Sequence, residues 1–168
     1  MSVTILAGPI GAGKTTVARE LLALLPGPVS YIEGDTFWSF IAKPHSRDRR
    51  EVFHVIMRAM TAAAIPFARS GYEVLIDFSI PPHFLATARK ILKEVPLNYV
   101  ALRPSLAICE SRAASRPEGR IIDYAKHRDF YALFDAPANC VVADDEADAL
   151  TLAKRIYDGL GAGTFTVA

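Results

Sequence analysis

Eight residues near the start of the chain, Gly8-Pro9-Ile10-Gly11-Ala12-Gly13-Lys14-Thr15, match the spacing G-x-x-x-x-G-K-[ST] at every fixed position. An apolar run, Val3 to Ala7, precedes them, and a helix-periodic stretch from Thr16 to Leu22 follows. Strand, glycine loop and helix form the context in which this spacing grips phosphate. Glycine at 8, 11 and 13 lets the backbone take dihedrals closed to other residues and come close to an anion. The N–H groups of the loop then point at phosphate oxygens beside the positive end of the next helix. Lys14 is spaced to reach the β- and γ-phosphates of a nucleoside triphosphate, and the Thr15 hydroxyl to ligate Mg²⁺. Gly8, Pro9, Ile10, Gly11, Ala12, Gly13, Lys14, Thr15 and Thr16 are therefore the candidate nucleotide-binding residues.

Other side chains can complete such a site. Asp35 follows an apolar run and a glycine about twenty residues after Lys14, where a carboxylate can orient an acceptor hydroxyl or take its proton. The competing role for Asp35 is capping the helix that Thr36 begins. Asp77 ends the run Glu73-Val74-Leu75-Ile76-Asp77, a position suited to holding Mg²⁺ directly or through water. The competing role there is a turn before Pro81, and the sequence leaves Asp35 and Asp77 free to exchange functions. Arg112, Arg116 and Arg120 recur every four residues, so a mobile flap can bring them over the phosphates. Arg116 is the first candidate for the transferred phosphoryl and Arg112 for the neighbourhood of the base. Phe37, Trp38 and Phe40 crowd the stretch after Asp35, where they can line an acceptor pocket or pack a core. Arg47, Arg49 and Arg50 can grip an anionic acceptor or mark a charged helix start. His45, His54, His83 and His127 show no metal spacing.

The elements that must position these residues alternate. Strands are expected at Val3–Ala7, Val29–Glu33, Tyr72–Phe78, Leu97–Leu102 and Asn139–Ala143. Helices are expected from Lys14 to near Pro26, briefly over Thr36–Lys43, over Arg47–Ser70 with a kink or stop at Pro66, and from Pro81-Pro82 to about Glu94. Further helices follow from a Ser105 cap to about Arg116, over Tyr124–Phe134 and over Glu146–Leu160, and Gly161–Ala168 reads as a loose tail. Such alternation implies a doubly wound, three-layer α/β domain around a parallel sheet. Ligands of such sheets sit beyond the carboxyl ends of the strands, where the glycine loop, Asp35, Asp77, Arg103, Asp144 and Asp145 all fall.

The bulk numbers narrow the class. At 168 residues, with 51 % hydrophobic and 22 % charged, the chain suits one globular domain, 1–168, and not a disordered one. A net charge of +1 supplies no global field for nucleic acid or membrane, so neither is expected as a partner. Arginine outnumbers lysine 13 to 6, which suits phosphate contacts without proving them. Cys109 and Cys140 lack C-x-x-C spacing and read as small apolar residues in a reducing compartment. No apolar run suggests a membrane span, and a cleaved leader would remove the loop that starts at Gly8, so the expected location is cytoplasmic.

The loop with Thr16, the pair Gly34-Asp35, and the segment Ser111-Arg112 through Arg116-Pro117 resemble small P-loop kinases of the nucleoside-monophosphate-kinase-like group, shikimate and gluconate kinase among them. Glu33-Gly34-Asp35-Thr36-Phe37-Trp38 is also similar to chloramphenicol-phosphotransferase-like and zeta-toxin-like proteins. The resemblance spans roughly residues 3–160. It implies a P-loop fold with strand order 2-3-1-4-5, ATP as donor, Mg²⁺, a short lid over about 112–126, and Arg116 as the lid arginine. The implied activity is transfer of the ATP γ-phosphate to a small-molecule acceptor, with Lys14, Asp35 and Arg116 catalytic, Thr15 and Asp77 serving the metal, and a monomer or homodimer as the working unit. Two alternatives stay open: a nucleoside-monophosphate kinase, and a nucleotide-binding switch or toxin-type module. The chain lacks the D-x-D pair and glycine triplet of shikimate kinase. It has Phe37-Trp38 where gluconate kinase has a histidine-proline pair, which suits a flatter or less polar acceptor.

Overall fold

Five strands pair in parallel: β1 (Val3–Ala7), β2 (Val29–Glu33), β3 (Glu73–Asp77), β4 (Leu97–Leu102) and β5 (Val141–Val142). Their order is β2-β3-β1-β4-β5, the order that the resemblance implied. The computed structural model describes residues 1–44, 48–117, 119–135 and 138–167. Because β1 lies between β3 and β4, the chain leaves it toward one side of the sheet and later returns to the other. That reversal opens a crevice at the carboxyl ends of the strands.

The α-helices among the described residues are α1 (Lys14–Leu24), α2 (Arg49–Arg69), α3 (Leu85–Leu92), α4 (Leu106–Ala114), α5 (Arg128–Ala132) and α6 (Ala149–Gly161). The two-residue alternation of strands divides the core. Val3, Ile5, Val74 and Ile76 pack with Ile56, Met57 and Met60 of α2 and Leu92 of α3. Leu6, Leu75 and Val100 pack on the opposite face with Val17 and Leu21 of α1 and Leu152 and Ile156 of α6. Each fully buried side chain of this kind contributes about 1.5–3 kcal/mol relative to exposure. Among the described residues α2 is long and apolar enough to cross a membrane by length and composition, but its buried stripe packs against β3 in this fold.

Several boundaries differ from expectation. Pro66 does not end α2, which runs to Arg69; the proline lies in the last turn at the surface, where the carbonyl four residues back is left to solvent. After β2 the chain forms a 3₁₀ segment, Gly34–Phe40, rather than an α-helix over 36–43. The stretch expected to be one helix over 124–134 is a 3₁₀ turn, Ala125–His127, followed by α5. Strand β5 is two residues long because Ala138–Cys140 coil into a 3₁₀ turn, with the Asn139 amide donating to the Thr164 carbonyl at 3.0 Å.

The C-terminal tail is not loose. Strand β5 pairs only with Ala101 and Leu102, leaving the lower half of β4 without a neighbour on that edge. The tail fills the gap antiparallel: Tyr99 donates its N–H to the Phe165 carbonyl at 2.9 Å, and Val167 donates to Leu97 at 2.9 Å. Phe165 is 5 % exposed and lies so close to Gly159 that a Cβ there would stand 2.4 Å from its ring. A single buried aromatic among polar and glycine residues gives no periodic signal, which is why composition misrepresents this segment. Phe165→Ala is expected to lower stability by roughly 3 kcal/mol, the scale for emptying a buried phenylalanine site. Urea unfolding followed by circular dichroism measures it, and a loss under about 0.5 kcal/mol, ordinary for a surface site, would return the tail to solvent.

Candidate active site

The glycine loop is pressed between two neighbours. Gly8 has φ +149° and Gly11 has φ +85°. A Cβ on Gly8 would lie 2.3 Å from the Leu102 carbonyl oxygen at the end of β4, and one on Gly11 would lie 2.2 Å from the Cys109 carbonyl oxygen in α4. Side chains at these positions would push the loop off both elements and open the cradle. Ala12 donates its N–H to the Pro9 carbonyl at 3.2 Å, and the Lys14 ammonium reaches back to the same carbonyl at 3.1 Å. Part of the Lys14 side chain remains at the surface while its ammonium is sunk in the cleft. Burial lowers its pKa; the carboxylates of Asp77 and Asp35 pull upward and Arg116 pushes further down. An ammonium stripped of water in this way gains strongly from an arriving anion.

Strand alternation places the second element of the site. Asp77 is two residues past Leu75, on the face that looks toward α1, and is 4 % exposed. Its Oδ2 accepts the Thr15 hydroxyl at 2.7 Å and the Tyr31 hydroxyl at 3.1 Å. Asp77 therefore does not cap the turn before Pro81. A hydroxyl and a carboxylate are the hard oxygen donors that Mg²⁺ takes, and Mg²⁺ characteristically adds waters and substrate phosphates to one or two protein ligands. Thr15 and Asp77 fit that group. Among the described residues no cluster of three or more His, Cys, Asp or Glu forms a protein-only metal cage. Sequence reasoning did not single out Tyr31. Its contact with Asp77 crosses from β2 to β3, where Tyr31 stands opposite Leu75, and no local spacing announces it. Burial and the Asp77 charge raise the Tyr31 pKa, so the phenol stays a proton donor.

A cleft of about 800 Å³ opens between these groups, lined by Lys14, Thr15, Thr16, Asp35, Asp77, Arg112 and Arg116, and also by Ile10, Gly11 and Gly13. Gly8, Pro9 and Ala12 do not line it and form the inner turn of the loop. Arg19, Glu33, Phe78 and Ser79 are further lining residues without an assignment from sequence. Asp35 lies in the first turn of the 3₁₀ segment after β2, is exposed, and makes no side-chain cap. The turn carrying it is fixed by Gly34, where a Cβ would stand 2.3 Å from the buried Phe78 ring. Arg112 lies over the loop, with Nη1 3.5 Å from where a Gly13 Cβ would be. Helix α4 ends at Ala114, two residues before Arg116. Arg120 turns away from the cleft and donates from Nε to the Ala114 carbonyl at 2.6 Å.

The remaining candidates lie elsewhere. Phe37 and Trp38 pack against the core; the Phe40 ring is 5.1 Å from Phe37, and none of the three lines the cleft. Arg49 stacks over the Trp38 ring at 4.9 Å, while His45 and Arg47 are outside the described residues. Arg103 lies over the Tyr131 ring at 4.8 Å. Asp144 holds the entry to α6, accepting from the N–H groups of Ala147 at 2.7 Å and Glu146 at 2.9 Å and pairing with Arg155 at 2.5 Å. Those backbone bonds, with Arg155, hold its carboxyl at about 2. Asp145 accepts the Ser105 N–H at 2.7 Å. Both acids therefore anchor loops.

The segment returning from α4 is tied to the glycine loop. Tyr124 donates its hydroxyl to the Ile10 carbonyl at 2.6 Å and packs with Cys109 and Ala113. Burial pushes the Cys109 thiol up to about 11, against the pull of Lys14 and Arg112, and burial also raises Cys140.

A family model described as an AAA domain matches residues 3–137. No curated protein sequence matches the chain. Similar solved structures include the Mycobacterium tuberculosis APS kinase in complex with AMPPNP and APS, at 22 % identity and a TM-score of 0.72 over 95 % of this chain and 97 % of that one. The Acinetobacter baumannii shikimate kinase in complex with shikimate has 22 % identity and a TM-score of 0.63 over 97 % and 94 %. The Deinococcus radiodurans tunicamycin resistance protein has 17 % identity and a TM-score of 0.69 over 99 % and 98 %. At these identities the likeness establishes the P-loop fold.

The two thiols offer a test of the packing behind the loop. At pH 8 a thiol with a pKa of about 11 is almost wholly protonated, and both cysteines are buried. Native protein is expected to leave Cys109 and Cys140 unlabelled by a disulfide reagent over minutes, with both reacting at once in urea. Rapid stoichiometric labelling of the native protein would contradict the packing of α4 against Gly11.

Proposed function

The chain belongs to the AAA domain family, and from that premise we propose that it is an ATP- and Mg²⁺-dependent phosphotransferase acting on a small-molecule acceptor. The observation that carries the reading is the convergence of Lys14, the Thr15–Asp77 pair, Asp35, Arg112 and Arg116 on one cleft at the carboxyl ends of the strands. The solved kinases named above support it through their shared fold.

In this reading the loop over residues 8–16 holds the donor triphosphate through the backbone N–H groups of Gly11, Gly13, Lys14 and Thr15, which line the cleft, and Lys14 leaves the Pro9 carbonyl to meet the phosphate oxygens. Thr15 and Asp77 hold Mg²⁺, which when bound neutralises phosphate charge. Tyr31 keeps one Asp77 oxygen engaged and so fixes the carboxylate. Asp35 orients the acceptor hydroxyl and receives its proton as the bond from acceptor oxygen to γ-phosphorus forms. The bond from that phosphorus to the β-phosphate bridging oxygen breaks, and ADP leaves. Arg116 and Arg112, in a lid over about 112–126, neutralise charge on the moving phosphoryl group. Positioning and charge compensation are all that such a transfer requires of the protein. The chain works as one domain, and its buried free thiols suit a reducing cytoplasm.

A nucleoside-monophosphate acceptor fits less well, because Arg49 is engaged with Trp38 rather than gathered with Arg50 over a phosphate. The test is ADP release from ATP and Mg²⁺ across a panel of sugars, aromatic alcohols and nucleoside monophosphates. Lys14→Ala is expected to cut turnover by about 10²-fold or more, the scale of losing one electrostatic stabiliser. Asp35→Asn is expected to lower kcat by about 10²-fold. Near-normal turnover in Lys14→Ala would remove the donor-site assignment, and binding of ATP without turnover on any acceptor would favour a switch.

A further inference from the structure

Beside the nucleotide cleft is a second cavity of about 490 Å³. Its walls come from α2, the loop that leaves β3, and the stretch from Lys126 into α5. The two spaces adjoin. The loop after β3 lines the first with Phe78 and Ser79 and the second with Pro81. Across that boundary the rings of Phe53 and Phe78 are 5.3 Å apart. Phe130 meets Phe53 edge-on at 6.3 Å and is backed at 5.3 Å by the fully buried Phe134. The second cavity thus has a stiff aromatic wall set by the core, of the kind on which a flat ring packs.

Its rim has a different chemistry. Arg50 and His54 come from α2, His83 from the turn before α3, and Lys126 from the turn before α5, with Asp129 the one acid among the lining residues. Neighbouring cations have other occupations: Arg49 stacks on Trp38 and Arg128 pairs with Glu110 at 3.1 Å. Among the described residues, Arg50 and Lys126 form no ion pair. One exposed cation is ordinary surface. Four basic side chains turned by three separate elements onto the same aromatic-walled cavity make a complement to a negatively charged ligand.

We propose that this cavity holds the acceptor, and that the acceptor is a small molecule with a planar, largely apolar ring and one carboxylate or similar oxyanion, the ring against Phe53 and Phe130 and the anion at Arg50 and Lys126. This rests on the phosphotransferase reading above. The acceptor hydroxyl then occupies the end nearer Asp35. Its proton passes to that carboxylate as its oxygen bonds the γ-phosphorus, while the bond to the β-phosphate oxygen breaks and ADP departs. A polyhydroxy acid satisfies the rim but not the wall, and a neutral aromatic alcohol satisfies the wall but not the rim.

Three probes separate these demands: 4-(hydroxymethyl)benzoate, its carboxamide, and gluconate. Trp38, the single tryptophan, stacks on Phe53 at 6.3 Å, so its fluorescence reports occupancy. With ADP and Mg²⁺ present, the benzoate is expected to bind about tenfold or more tightly than either other probe, the ratio expected for one charge-assisted contact. The same order is expected in ADP release from ATP. The double variant Arg50→Ala with Lys126→Ala is expected to bind benzoate and carboxamide alike, and Arg50→Lys with Lys126→Arg to restore most of the difference. Thermal melting and ATP calorimetry on each variant show whether fold and donor site survive. Equal binding of benzoate and carboxamide by the parent protein, a preference for gluconate, or no binding of any probe by a protein that binds ATP would overturn this inference and leave the donor reading standing. Failure to bind ATP would instead overturn the donor reading, and this inference with it.

Discussion

The structure depends on an ammonium ion held in a place that suits it poorly until an anion arrives. The Lys14 ammonium is sunk in the cleft at the start of α1, with one carbonyl as its hydrogen-bond partner, Asp77 and Asp35 as attracting charges and Arg116 as a repelling one. In an apolar core such a group would lose its proton or cost several kcal/mol. Here the neighbouring N–H groups of a left-handed glycine loop and the end of a helix make the same space favourable for phosphate. The loop packs closely against Leu102 on one side and Cys109 on the other, so that a side chain at Gly8 or Gly11 would find no room.

From that constraint the rest of the cleft follows through the sheet. Parallel pairing of β1 with β3 brings Leu6 level with Asp77, so the carboxylate ends beside the first turn of α1 and takes the Thr15 hydroxyl. Pairing of β2 with β3 sets Glu33 opposite Asp77, and the Gly34 turn then carries Asp35 round the buried Phe78 ring. The return segment after α4 is bound to the same loop through the Tyr124 hydroxyl on the Ile10 carbonyl. The arginine-bearing segment and the glycine loop are thereby joined by a hydrogen bond and a small apolar cluster. The aromatic chain from Trp38 through Phe53 to Phe130 meets Phe78, so the cleft and the second cavity share aromatic residues along one edge.

Much of this was legible from residue types and spacing. Glycines at fixed offsets between a strand and a helix define the loop, and the rule that ligands gather at strand ends explains why Asp35, Asp77, Arg112 and Arg116 line one cleft. What stayed hidden depends on contacts between residues far apart in sequence. Tyr31 binds Asp77 across two strands, and nothing near position 31 hints at it. Arg120 has the same four-residue spacing as its neighbours but falls past the end of α4, where the Ala114 carbonyl, left without a helical partner, captures it. The tail is polar and glycine-rich, yet the short β5 leaves part of β4 open and Phe165 closes it. Asp144 and Asp145 occupy the favoured edge but bind backbone N–H groups, a local competition that strand topology does not reveal.

The most direct measurement of the central claim is a titration of ¹⁵N-labelled protein with ATP and Mg²⁺, following backbone amides by NMR. Hydrogen bonds to phosphate would move the resonances of Gly11, Gly13, Lys14 and Thr15 downfield together, with amides on the far side of α6 unmoved. Saturating nucleotide that left those four amides in place would show that the loop is no phosphate cradle.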